Sequence, residues 1–218
     1  MQSNQQLALH PETRTYSYSL DWRFLLPIAG DAKLLVLSEG SADFTQALER
    51  VGIAGLDWHE GLSSILDAKQ DEVGDLHGLV IPFGLPVHRV GIHEEDHIEF
   101  YRSARRLIHR GGYLLVGFEN VWKFRSKARF MYHFSSPRRM NYQLRQSGYT
   151  SVEIFGAIPN LSIPEYIFHL QPQTLDFALR HRFRRKAITR NILRWLLGRI
   201  GSSGVSALLP CYFAVAMA

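Results

Sequence analysis

Apolar residues follow two rhythms along this chain. Leu34 to Leu37 is an unbroken apolar run, the pattern of a central parallel strand buried on both faces. Past a turn at Gly40, Phe44, Ala47, Leu48 and Val51 recur at helical spacing and mark one face of a helix that stops near Gly52. Ile53 to Trp58 reads as a second strand, and Leu62 to Lys69 as a helical stretch. Leu76 to Gly84 holds another buried strand, closed by a turn. Glu94 to His109 is a long amphipathic helix, with acids in its first turn and Arg102, Arg105, Arg106 and Arg110 toward its end, as the helix dipole favours. Gly111-Gly112 reads as a tight turn before a third apolar strand, Tyr113 to Phe118. Ser136 to Ser147 is a helix with Pro137 in its first turn and Gly148 at its end, and Ser151 to Gly156 is a strand.

Strand and helix thus alternate with connections of helix length, which predicts an α/β domain with a parallel sheet covered by helices on both faces. Residues 160–204 interrupt the alternation with a proline-containing loop and a basic helix, an insertion before the last strand. Leu208 to Met217 reads as that strand, antiparallel and at the sheet's end. Ahead of the domain, residues 1–19 form a polar tail, and Leu20 to Ile28 a short helix or clasp ended by Pro27. The domain proper spans 20–218.

Composition narrows the classes. A chain of 218 residues, 46% hydrophobic, supports one domain with a sizeable core. A lone cysteine, Cys211, excludes an intramolecular disulfide framework and a CxxC metal site, and reads as a small apolar residue in the terminal strand. No secretory pattern opens the sequence, and no apolar stretch reaches the roughly 18 residues needed to span a bilayer, so the expected location is the cytoplasm. The net charge of +5 permits contact with phosphates or anionic lipid without requiring it.

The helix, glycine turn and strand of residues 100–120, ending Gly117-Phe-Glu-Asn120, together with Asn141 to Tyr149 and the loop Ile158 to Ile167, are similar to elements of one family. Their order resembles the Rossmann-like class I S-adenosylmethionine-dependent methyltransferases, in a branch associated with polysaccharide or natural-product pathways. The resemblance covers roughly residues 20–218 and implies S-adenosylmethionine as cofactor. It implies that the backbone of Gly40 and Ser41 faces the methionine part and that Asp57, at the end of the second strand, holds the ribose hydroxyls. Pro82, Phe83 and Gly84 then fall near the methyl group and the substrate, and Glu119 and Asn120 face acceptor or cofactor.

The chain departs from the family at the loop after the first strand. Ser38 stands where an acid is expected, Gly40 is the sole loop glycine, and the loop is about two residues short of the family's, where glycines let the backbone approach the ligand. Asp43 is a candidate replacement for the missing acid, and His77 stands where the family has an acid ahead of Pro82. Each site residue also has a bland alternative: Gly40 as a plain tight turn, Asp57 as a solvated loop acid, Glu119 and Asn120 as capping or turn residues.

His93-Glu-Glu-Asp-His97 spells the H-E-x-x-H zinc-hydrolase pattern, but its charged interior and its place at a helix start suit acids favoured by the helix dipole, and no metal is expected. Tyr132, His133, His88 and Tyr142 read as packing or rim residues. The basic segment 178–200, with Phe183, Ile188, Ile192, Trp195 and Leu196 among its arginines, reads as a helix packed on the domain with a solvated basic face, as a surface for anionic lipid, or as a docking face for a protein partner; nucleic acid has no accompanying motif.

Two functions follow. One is a methyltransferase acting on a small molecule or glycan precursor in a biosynthetic pathway, by in-line displacement on a sulfonium methyl. The other is a catalytically inactive relative of that fold, a binding or assembly subunit that docks a partner enzyme or membrane surface.

Overall fold

The computed structural model describes residues 21–27, 32–38, 53–57, 74–83, 85, 96–120, 134–158, 160–161, 164, 166–182, 191–192, 195, 199 and 209–218. Within them the strands are β1 (Leu34–Ser38), β2 (Ala54–Asp57), β3 (Leu76–Ile81), β4 (Ile108–Asn120), β5 (Phe134–Ser135), β6 (Ser151–Ile158), β7 (Tyr166–His169) and β8 (Cys211–Met217). The helices are α1 (His97–Leu107), α2 (Pro137–Gln146) and α3 (Pro172–Arg182), preceded by a 3-10 turn at Asp21–Leu25.

All eight strands form one sheet in the order β2-β1-β3-β4-β8-β6-β7, with β5 added beside β4. β2, β1, β3 and β4 run parallel; β8 lies antiparallel between β4 and β6, and β7 pairs antiparallel with the outer side of β6. Alternation along each strand sorts side chains cleanly between the faces. Leu37, Leu79, Ile81, Leu114, Val116, Phe118, Tyr212 and Ala214 face the helical layer, where Phe100, Tyr101, Ala104, Met140, Leu144 and Leu175 cover them. Val36, Val80, Leu115, Phe213 and Val215 occupy the opposite face. Trp22, 1% exposed, and Leu26 clamp the 3-10 turn onto that second face, so the expected clasp packs on the sheet. The helices read at 41–51 and 62–69 lie outside the described residues.

Three expectations are corrected. β8 is not at the sheet's end: it is an interior strand, buried from Cys211 to Ala216. Gly111-Gly112 does not break the chain before a strand starting at Tyr113, because β4 begins at Ile108 and absorbs the glycines as a register shift against β3, with Gly111 at φ +86°. The stretch 160–204 is not simply loop and basic helix, since it adds the edge strand β7 before α3.

Local chemistry sets the helix ends near the sheet. The Ser136 hydroxyl accepts from the backbone N–H of Arg139 at 3.2 Å, and Pro137 opens α2 with its ring already at a helical φ. Gly148, at φ +95°, ends the helix, and the Ser147 hydroxyl donates to the carbonyl oxygens of Gln143 and Ile98, tying α2 to α1.

Candidate functional site

Parallel strands expose their carboxyl ends along one edge of a sheet, and open α/β sheets hold ligands beyond that edge. In this chain the edge is built from Ser38 at the end of β1, Asp57 at the end of β2, Pro82-Phe83 just past β3, and Glu119-Asn120 at the end of β4. Ser38 and Asp57 are register partners on neighbouring strands, so two positions 19 residues apart in sequence stand side by side. Gly40, Ser41, Asp43 and Gly84, with the rims at 58–73, 86–95 and 121–133, lie outside the described residues.

The part of the edge between β3 and β4 is tightly built. Pro82 is buried and Phe83 half-buried, packed against the Trp22 face of the core. The chain leaving β3 runs so close to β4 that a Cβ on Gly117 would sit 2.0 Å from the Pro82 carbonyl oxygen and 3.3 Å from a methyl of Leu161. Gly117 therefore lets three segments converge, the exit of β3, the body of β4 and the loop after β6. Gly117 lies in the Gly117–Asn120 motif, from which this packing role does not follow; a glycine inside an apolar strand is the signal that carries it.

Glu119 and Asn120, expected to act together, point to opposite faces, as consecutive strand residues must. Asn120 is 2% exposed and its side-chain nitrogen donates to the carbonyl oxygen of Leu209 at 2.7 Å and to the hydroxyl of Tyr212 at 3.0 Å. Its backbone N–H donates to the Pro210 carbonyl oxygen at 3.0 Å. Both amide hydrogens thus anchor the start of β8. Glu119, 7% exposed, sits on the other face beside Cys211 in register. β4 overshoots β3, whose last register partner is Val116, and the vacated flank of Glu119 and Asn120 is taken by β5.

His97 is buried at the first position of α1, while His93 lies outside the described residues; the helix that would put both histidines of H-E-x-x-H on one face is described only from its second. His77 falls at the amino end of β3, away from the edge, where its Nδ1 accepts from the Lys33 backbone N–H at 3.1 Å and its ring meets His109 edge-on at 4.8 Å. Among the described residues a groove of about 580 Å³ lies elsewhere, between α2 and β6, lined by Arg138, Tyr142, Arg145, Val152 and Ile154.

No protein-family model matches the chain, and no curated protein matches it. Solved structures do. The chain is similar to a SAM-dependent methyltransferase from Archaeoglobus fulgidus, with 13% identity over 95% of this chain and 96% of that one, at a TM-score of 0.55. It is similar to a SAM-dependent methyltransferase from Thermotoga maritima described as a possible histamine N-methyltransferase, with 11% identity over 94% of this chain and 89% of that one, at a TM-score of 0.53. The architecture is the Rossmann-like class I methyltransferase fold.

Asp57 ends β2 beside Ser38 at the end of β1, so a carboxylate residue and a hydroxyl residue stand at adjacent strand ends.

Proposed function

We propose that the chain is an S-adenosylmethionine-dependent methyltransferase acting on a small molecule or glycan precursor in a biosynthetic pathway. The observation that carries the reading is the pairing of Ser38 with Asp57 at the carboxyl ends of adjacent parallel strands, within a sheet of class I order. When bound, S-adenosylmethionine supplies a methyl group on a sulfonium, a centre open to in-line displacement. Asp57 accepts from the ribose hydroxyls, and the backbone at Gly40 and Ser41 lies along the methionine part. Pro82 and Phe83 wall the acceptor side and exclude water. Glu119 faces acceptor or cofactor, whereas the amide nitrogen of Asn120 is committed to β8. Alignment supplies much of the acceleration in such a transfer, and a base is required only when the acceptor must lose a proton before attack. This accounts for an edge without a catalytic dyad among the candidate residues.

The second reading keeps the fold without the transfer. Ser38 in place of an acid and the short loop favour it, as does the exposure of Ile192, Trp195 and Arg199, a face suited to docking. Titration calorimetry with S-adenosylmethionine and S-adenosylhomocysteine separates the two. The methyltransferase reading expects micromolar binding, about 8 kcal/mol, weakened about a hundredfold by Asp57→Ala through loss of two hydrogen bonds to a carboxylate. Binding absent at millimolar ligand gives the case to the docking subunit.

A further inference from the structure

Residues 178–200 contain eight Lys or Arg and no Asp or Glu, although the whole chain nets only +5, so the remainder of the molecule is net acidic. Residues 191, 192, 195 and 199 are helical. Ile192, Trp195 and Arg199 follow at i, i+3 and i+7, and so share one face. That face is turned outward: Ile192 is 53% and Trp195 60% exposed. The Arg199 guanidinium lies over the Trp195 ring, 5.3 Å from its centroid. A helix of a water-soluble domain hides its tryptophan against the core. Here an aliphatic and an aromatic side chain stand outside, with a cation folded along the ring.

We propose that this face rests on the surface of an anionic phospholipid bilayer. The helix lies in the plane of the membrane, with Ile192 and Trp195 at the boundary of headgroups and acyl chains and Arg199 reaching lipid phosphates. Among the described residues no helix is long and apolar enough to cross a membrane, so the contact is peripheral. Charge selects the occupant. A second copy would bring one acid-free basic segment against another, and a nucleic acid gives the exposed isoleucine nothing to bury against. An anionic bilayer offers both phosphates and an apolar layer at matching depths. The proposal is independent of whether the carboxyl edge transfers methyl groups.

Co-sedimentation of the full chain with vesicles tests it, comparing pure phosphatidylcholine with phosphatidylcholine containing about one-third phosphatidylserine. The chain is expected to bind the anionic vesicles, to leave the neutral ones in solution, and to be released near 1 M salt. Trp195→Glu and Arg199→Glu each lower the partition coefficient about tenfold. Phe24→Ala, at an 86% exposed position on the amino-terminal turn, leaves it unchanged. Circular dichroism checks that each variant is folded, and Arg199→Glu carries the comparison alone if Trp195→Glu is not. Equal binding to neutral and anionic vesicles, no binding to either, or wild-type binding by a folded Arg199→Glu chain overturns the proposal. So does a concentration-dependent dimer, or oligonucleotide binding tighter than vesicle binding, that the same substitutions abolish.

Discussion

Asn120 stands at the edge where ligand chemistry is expected, yet its side chain works for the fold. Its two amide hydrogens satisfy the Leu209 carbonyl and the Tyr212 hydroxyl in the core, and Tyr212 in turn stacks on Phe118 at 5.1 Å. Removing the amide leaves both partners buried and under-satisfied. Asn120→Ala is expected to lower stability by about 1–3 kcal/mol in urea denaturation, without the selective loss of cofactor affinity expected of Asp57→Ala. Sequence reading could place Asn120 at a strand end but not see residues 209–212 arriving from 89 positions away.

The buried tyrosines give a pH dependence whose sign is fixed. Burial pushes the hydroxyls of Tyr101 and Tyr149 above the usual tyrosine value, with Tyr101 adding to the effect on Tyr149 and Arg105 opposing it. Burial raises Tyr212 as well, against the hydrogen bond from Asn120. Their folded pKa values exceed the unfolded value near 10, so their contribution is intact below about pH 10 and falls as pH rises above it, by about 1.4 kcal/mol per pH unit for each tyrosine that ionises only when unfolded. Urea midpoints from about pH 9 to pH 11 should fall steeply. Among the described residues the Tyr101 hydroxyl, buried, has no hydrogen-bond partner, so Tyr101→Phe should flatten that fall by one tyrosine's share while costing little stability at neutral pH. A slope unchanged by Tyr101→Phe contradicts the assignment.

At the scale of elements, legibility followed the number of covered faces. Val36 and Leu37 of β1, Leu79 to Ile81 of β3 and Leu114 to Val116 of β4 are buried whichever face they point to, and each group sits in an apolar run. Cys211 to Ala216 has the same signature, so the interior place of β8 was written in the sequence even though a terminal strand suggests an edge. β7 was harder: four residues, Tyr166 to His169, paired on one side only and none fully buried, carry too little pattern to separate strand from loop. The glycines at 111 and 112 misled because positive φ serves a bulge as readily as a turn. α2 was read closely because its signals are local, with Ser136, Pro137 and Gly148 each doing at its position what the residue type does in isolation. Ser136→Ala should therefore cost about 1 kcal/mol, read as a shift in urea midpoint with an unchanged slope. No measurable shift means the Ser136 contact to Arg139 is not holding the helix start.

At the scale of the whole molecule, the order of elements carried the parallel half of the sheet, because parallel strands joined by helices leave few ways to connect, while the antiparallel half with β7 and β8 was placed less well. The candidate site was less legible. Asp57 and Ser38 become neighbours only through strand pairing, and Gly117 gains its meaning only from the chain that passes over it. The central claim is that the carboxyl edge from β1 to β4 still accommodates an adenosyl ligand despite its short loop. The most direct measurement is a crystal structure of the chain with S-adenosylhomocysteine. The account predicts the ligand across the ends of β1 and β2, with its ribose against Asp57. An edge closed by the side chains of residues 39–44, with the ligand absent or bound elsewhere, would contradict it.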